Sequence, residues 1–357
     1  VKKAGPTQVR KALERINRAM LALQREDWPE GDLDSRETLP DKLVYALADF
    51  VALAGEQMAR DPVFLQLNPE LMDFYFNVLQ WLRVAEHWGE EFRLELDRGR
   101  GPQGLSLGIN CLDPSRLLRD KQSRLHSLVA FSATLSPAPW MQAMLGLGEA
   151  AVCRRMASPF EPGQLEVVLA SDVDTRYRAR AQSLPRLAAM LQHWLSENPG
   201  NSIVYFPSYR YMQDCLENLN LTDRAVWQQQ SEQSEEERQS LLQLLQERRD
   251  VAAFCILGGV FGEGIDLPGE QLSSVVVVGV GLPQVGRERD QLRSWYQQRY
   301  GAGFEYAYLY PGMQKVDQAL GRVVRTDTDR GRALLVDTRY QWRQYRDLLP
   351  PWWEYKG

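Results

Sequence analysis

SIVYFPSYRYMQDCLEN, residues 202–218, decides the fold. Ser202–Phe206 runs apolar without alternation, the pattern of a strand covered on both faces. Ser208 stands where a helix cap belongs, and Tyr209–Asn218 follows at helical spacing. The same unit recurs along the chain. AAFCIL (252–257) and VVVV (275–278) repeat the two-faced strand. The spacing predicts strands at Leu165–Ala170, Val226–Gln228, Ala253–Gly258, Ser274–Val278, Ala307–Tyr310 and Arg332–Asp337. It predicts helices at Leu184–Glu197, Ser234–Arg248, Arg287–Tyr300 and Lys315–Arg325. Alternation of this kind implies a doubly wound, mainly parallel α/β sheet with right-handed crossovers. Ligands of such sheets bind beyond the carboxyl ends of the strands.

Upstream the pattern is helical. Val9, Leu13, Ile16, Met20 and Leu23 form an apolar stripe in residues 1–25. Glu26–Pro40 is a loop, and Asp41–Arg60 and Pro69–Trp88 are amphipathic helices. Phe74, Tyr75, Phe76, Trp81 and Trp88 on the second helix read as packing core in preference to a base-stacking platform. No strand alternation occurs before Glu91. Glu91–Leu96 and Leu105–Cys111 then read as strands joined by a DRGRGPQG turn. Asp113–Ser123 is expected as a helix, Leu128–Ser132 as a short buried strand and Trp140–Leu147 as a helix. Ala157–Gln164, with two prolines and a glycine, reads as a linker.

At 357 residues the chain has room for two or three domains. A net charge of −5 supplies no bulk positive field, which disfavours a non-specific nucleic-acid coat protein but leaves room for a local basic groove. Cys111, Cys153, Cys215 and Cys255 are scattered and form no CxxC, so neither a zinc nor a local iron–sulfur site is readable. His87, His126 and His193 lack metal-ligand spacing. A reducing cytoplasm is the simplest compartment, and no apolar run reaches membrane-spanning length.

Four short motifs carry chemistry. QALGRVVR (318–325) has a helical period, with Arg322 and Arg325 three residues apart and therefore on one face of a helix. Guanidinium groups are planar, permanently charged and matched to phosphate oxygens. GGVFGEGIDLPG (258–269) places Glu263 and Asp266 on a turn where Gly262 and Gly264 permit close backbone approach. FSATLSP (131–137) offers the hydroxyls of Ser132 and Thr134. FPSYRYM (206–212) offers Ser208, Tyr209 and Arg210 at a helix start, where backbone amides can meet a phosphate. Taken singly, each has a plain alternative: solvated arginines, a turn, a cap.

Taken in order, SATL, FPSY, EGIDLPG and QxxGRxxR resemble motifs III to VI of superfamily 2 helicases. The wording is similar to the DinG/XPD branch, the iron–sulfur DNA helicases. The resemblance covers about residues 105–340 and implies a RecA-like helicase domain 2 at 151–357. It further implies a C-terminal piece of helicase domain 1 at 105–150 and a helical arch-like region at 1–104. It assigns Arg325 as arginine finger, Arg322 as a second γ-phosphate contact and Gln318 as a coupling residue. Asp266, Gly264, Glu263, Ser132 and Thr134 would couple to the nucleotide. Ser208, Tyr209, Arg210 and Gly262 would contact single-stranded DNA. The implied activity is ATP-dependent 5′→3′ DNA unwinding by a monomeric bacterial enzyme using ATP and Mg2+.

The sequence contains no GxxxxGK[ST] loop, DEAH-like acidic motif or four-cysteine cluster. In the family these precede the helical insertion. The expectation is a C-terminal part whose missing N-terminal half supplies the phosphate and metal sites, with any 4Fe–4S cluster in the parent protein. Such a chain would not hydrolyse ATP unaided. Two alternatives stand beside this reading. One is a non-catalytic helicase-derived DNA-binding or scaffold module. The other, a nucleotide-binding oxidoreductase, founders because VVVVGVGLPQVG (275–286) spaces its glycines GxGxxxxG and contains Pro283.

Overall fold

A computed structural model describes residues 7–28, 32–99, 104–231, 235–259 and 267–356. The chain divides into two compact units, residues 1–128 with 143–148, and residues 129–142 with 149–357.

The first unit holds helices α1 (Thr7–Arg25), α2 (Asp41–Arg60), α3 (Pro69–Ala85) and α4 (Ser115–Gln122), and strands β1 (Leu33–Arg36), β2 (Phe92–Asp97) and β3 (Ser106–Cys111). The strands form an antiparallel sheet in the order β1-β2-β3. β2 alternates, with Phe92, Leu94 and Leu96 buried in the period expected of a sheet with one covered face. β1 escapes the sequence reading because LDSR has one buried apolar-face position at most and takes its place by pairing Leu33–Arg36 against Asp97–Leu94. Of the aromatic stripe, Phe74, Tyr75, Trp81 and Trp88 pack against the core as expected, whereas Phe76 is exposed. Phe50 is fully buried, with Phe74 and Tyr75 rings 5.2 and 6.4 Å away.

The second unit is built on a parallel seven-stranded sheet of order β10-β4-β9-β8-β5-β7-β6. Its strands are β4 (Leu165–Ala170), β5 (Ser202–Phe206), β6 (Ala225–Gln228), β7 (Val251–Ile256), β8 (Ser274–Val278), β9 (Gly331–Val336) and β10 (Glu354–Lys356). Its helices are α6 (Arg180–Glu197), α7 (Tyr209–Leu216), α8 (Glu235–Glu247), α9 (Arg287–Tyr300), α10 (Tyr310–Leu320) and the short α11 (Arg343–Arg346); α5 (Ala138–Met144) crosses between the two units in sequence. Successive strand residues enter opposite cores. Ile203 and Tyr205 face Val275, Val277, Val316 and Leu320, whereas Val204 and Phe206 face Leu187, Leu191, Tyr211 and Met212. This is the two-sided burial that SIVYF predicts.

Two expected strands differ. Leu128–Ser132 is not a strand: it pairs with no strand among the described residues, and Val129 and Phe131 are exposed. Residues 307–310 are not a strand either. Glu305–Leu309 is a π-helical turn running straight into α10, its Tyr306 ring packed between those of Tyr300 and Tyr310. The Ala157–Gln164 linker ends in a 3-10 turn in which the Gln164 side chain accepts from Glu161 N at 2.8 Å.

Asn201 fixes the amino ends of the central strands. Its Nδ2 donates to the carbonyls of Leu245, Arg248 and Gln271 at 2.8–3.0 Å, and its Oδ1 accepts from Val251 N at 3.0 Å. It is fully buried. Truncation strands several buried backbone groups, each costing about 1–3 kcal/mol. Asn201→Ala is therefore expected to lower unfolding free energy by at least about 3 kcal/mol. Urea denaturation checks this through a reduced midpoint at an unchanged slope.

Candidate nucleotide and nucleic-acid site

Because the sheet is parallel, the loops after β4, β5, β7, β8 and β9 open at one edge. Ser208 begins α7 there, its Oγ accepting from Tyr211 N at 3.4 Å, the cap expected from sequence. Tyr209 is half-buried. Its hydroxyl accepts from Gln229 Nε2 at 3.1 Å, and Gln229 Oε1 accepts from Ile256 N at 2.8 Å. Burial raises the Tyr209 pKa. Arg210, one residue on, is exposed. After β7, Gly258 adopts φ +77°, and a Cβ there would meet the Lys315 side chain at 2.8 Å. The loop thus leaves the sheet over α10. Gly262, Glu263, Gly264 and Asp266 lie outside the described residues.

α10 runs from that edge toward the other. Near its start, Gly312 packs on Gly281 (φ +68°), where a Cβ would come within 2.4 Å of Gly312 O. Gln314 Nε2 donates to Thr134 O at 2.8 Å, so the SATL segment is tied to α10 through the Thr134 backbone. Ser132 is exposed, its Oγ accepting from Thr134 N at 3.2 Å. Gln318 lies half-buried further along α10. Beside it, burial pushes the Asp317 carboxyl well above its usual range, with Arg155 as the opposing charge.

The helix stops at Leu320, which corrects the expected Lys315–Arg325 helix. Gly321 caps it, its N–H donating to Asp317 O at 2.9 Å. Arg322 and Arg325 therefore share no helical face: Arg322 is buried and Arg325 exposed. Arg325 belongs to a turn built on Asp329. Asp329 Oδ2 accepts from Arg325 N at 2.8 Å and Thr326 N at 2.9 Å, and Oδ1 from Thr326 Oγ1 at 2.6 Å. Gln164 Nε2 clamps the same turn through the carbonyls of Thr326, Asp327 and Asp329 at 2.8–3.2 Å. Gln164 precedes β4 and Gly331 opens β9, so this turn stands at the amino edge, opposite Ser208. Gln164, Gln314 and Asp329 were absent from the sequence expectations. For Asp329 the signal was legible: Thr326-x-x-Asp329 closes a turn by side-chain hydrogen bonds.

A parallel sheet buried on both faces, with an arginine turn after its last long helix, is the architecture of a RecA-like α/β domain. Residues 191–356 match the helicase C-terminal domain family. The ATP-dependent DNA helicase CHL1 of Scheffersomyces stipitis is 22% identical over 344 residues, covering 87% of this chain and 40% of that protein. The general transcription and DNA repair factor IIH helicase subunit XPD of Dictyostelium discoideum is 24% identical over 262 residues, 68% of the chain and 34% of that protein. The ATP-dependent DNA helicase DinG of Photobacterium profundum is 28% identical over 158 residues, 42% of the chain and 23% of that protein. A solved XPD helicase superposes over 97% of the chain and 61% of its own length, with TM-score 0.58 at 19% identity. The chain is thus similar to the C-terminal region of XPD/DinG-like helicases, with residues 191–356 matching the helicase C-terminal domain. It spans about a fifth to two-fifths of the length of the curated relatives it matches.

Burial alone would raise the Asp329 pKa, but hydrogen bonds from Thr326 and from backbone N–H groups outweigh it and hold the pKa below the usual carboxylate value. A depressed folded-state pKa contributes stability above the unfolded pKa of about 4, lost as pH falls through it toward the folded value. Asp329→Asn is expected to cost about 1–2 kcal/mol at pH 7. The gap from the unsubstituted chain should narrow as pH drops below about 4. Urea denaturation at three pH values checks this; a gap independent of pH would refute the assignment.

Proposed function

We propose that this chain is the arginine-finger half of an ATP-dependent DNA helicase. The supporting observation is the Arg325 turn, an exposed guanidinium on a backbone pinned by Asp329 and Gln164, within the stretch that matches the helicase C-terminal family. Phosphoryl transfer is accelerated mainly by positioned positive charge, and an arginine finger is worth about 10³–10⁵ in rate. In this reading Arg325 stabilises the charge developing on the γ-phosphate. Arg322 is the second γ-phosphate contact and Gln318, on α10, couples the nucleotide to the rest of the domain.

Gln314 gives a physical route for the coupling that the resemblance assigns to Ser132 and Thr134, since it holds the SATL backbone to the helix carrying Gln318. Glu263, Gly264 and Asp266 complete the nucleotide-coupling set. Ser208, Tyr209, Arg210 and Gly262 take single-stranded DNA, with Ser208 and the first amides of α7 toward a phosphate. Residues 1–104, 105–150 and 151–357 are the arch-like region, the tail of helicase domain 1 and helicase domain 2. The nucleotide, bringing Mg2+ to neutralise phosphate charge, is held mainly by a P-loop and acidic motif outside these 357 residues. Unwinding runs 5′→3′.

ATP turnover by the chain, with and without single-stranded DNA, tests the proposal. The chain alone is expected to be silent. In the protein completed by its P-loop half, Arg325→Ala is expected to cut kcat by about 10³ while nucleotide affinity changes far less. Robust DNA-stimulated turnover by the chain alone would sink the half-enzyme reading. Full turnover by the completed Arg325→Ala protein would sink the arginine-finger assignment.

A further inference from the structure

The loop after β4 reads Thr175-Arg-Tyr-Arg-Ala-Arg180, and none of its residues belongs to the four motifs. It opens at the same edge as Ser208. Tyr177 is 81% exposed, a large aromatic ring turned to solvent where a protein gains nothing by exposing it. Arg180 joins this loop to α7. Its Nε donates to Thr175 O at 3.0 Å and its Nη1 to Ser208 Oγ at 3.4 Å. Its guanidinium sits 4.7 Å from the Tyr211 ring and 5.8 Å from the Tyr177 ring.

The carboxylates flanking the loop are already engaged. Asp174 takes Arg176 at 2.6 Å, Asp172 takes Arg186, and buried Asp337 takes Arg339 at 2.7 Å. Among the described residues, Arg178, Arg180 and Arg210 have no carboxylate partner. The loop and the start of α7 therefore present three arginines without a carboxylate ion pair, with Arg180 5.8 Å from the exposed Tyr177 ring and bonded to the Ser208 cap. That combination matches a polymer with regularly spaced phosphates and unpaired bases.

We infer that the Thr175–Arg180 loop and the first turn of α7 form one platform for single-stranded nucleic acid, on which Tyr177 stacks a base and Arg178, Arg180 and Arg210 take phosphates. Arg180 is the positioning residue, since it links the loop to the Ser208 cap and keeps the ring beside α7. The inference rests on the nucleic-acid-binding part of the proposed function and adds residues to it.

The test is fluorescence anisotropy of labelled dT15 and U15 with the full chain and with four variants, over a range of salt concentrations. Tyr177→Ala is expected to weaken binding about tenfold, within the range of a lost base stack, and Tyr177→Trp to restore it. Arg178→Ala should lower the slope of log K against log salt by about 0.7. Tyr45→Ala removes a tyrosine 76% exposed on α2 and should change nothing. An effect on only one polymer supports the platform and identifies which nucleic acid it takes. Wild-type binding that survives Tyr177→Ala and Arg178→Ala undiminished overturns the platform and leaves the proposed function standing. Failure of the unsubstituted chain to bind either oligonucleotide overturns both.

Discussion

β5, β7, β8 and β9 each send alternate residues into two separate apolar cores, and most of the second unit follows from that. Ile203 and Tyr205 go one way, Val204 and Phe206 the other. Neither face can be left to water, so each pair of neighbouring parallel strands is joined by a segment that crosses a face of the sheet. α6 and α7 cover one face, and α8 and α10 the other. Every loop leaving a carboxyl strand end then opens at a single edge. The helices that lead into the next strand return their carboxyl ends to the opposite edge. Ser208, starting a helix, and Arg325, following one, are placed at opposite edges by that single constraint.

Strand positions were legible because two-faced burial leaves a strong local mark. Ile203–Phe206 and Val275–Val278 carry unbroken apolar runs, Leu165–Ala170 is interrupted only by Glu166, and the bounds of all three strands agree with the sequence reading. The end of α10 was not legible from period alone. Val316, Ala319, Leu320 and Val323 keep helical spacing and are all buried, yet only the first three are helical. Spacing reports which side chains reach the core. It does not report where the backbone ladder stops. Gly321, two β-branched residues at Val323 and Val324, and an Asp329 carboxylate offering competing acceptors all favour leaving the helix.

The same limit explains the misread aromatic run at 307–310. Alternating large residues fit a strand, but Tyr306 and Tyr310 stack along a helical surface against Trp140, at 6.4 and 5.4 Å. Leu128–Ser132 fails differently. Its composition suits a buried strand, but a strand exists only through pairing, and its apolar side chains are exposed here. The order of the four motifs was more informative than their geometry. Gln164 and Gln314, which hold two of them in place, act across more than a hundred residues of sequence and leave no local sign.

Net charge says little about local charge for a related reason. A total of −5 suggests little attraction for polyanions, but charge acts over about a Debye length, roughly 8–10 Å, and whole-chain sums average over far more. Around the carboxyl edge acids are consumed in short-range pairs between residues two apart, as in Asp174 with Arg176 and Asp337 with Arg339. Such pairs cancel locally and contribute little field beyond themselves. What remains is set by the unpaired members. Arg180 is the most instructive, because burial lowers its pKa yet a guanidinium stays protonated at any physiological pH. A cation that is desolvated, held by a carbonyl and a hydroxyl and faced by two rings keeps an unmet need for an anion, whatever the sign of the whole chain.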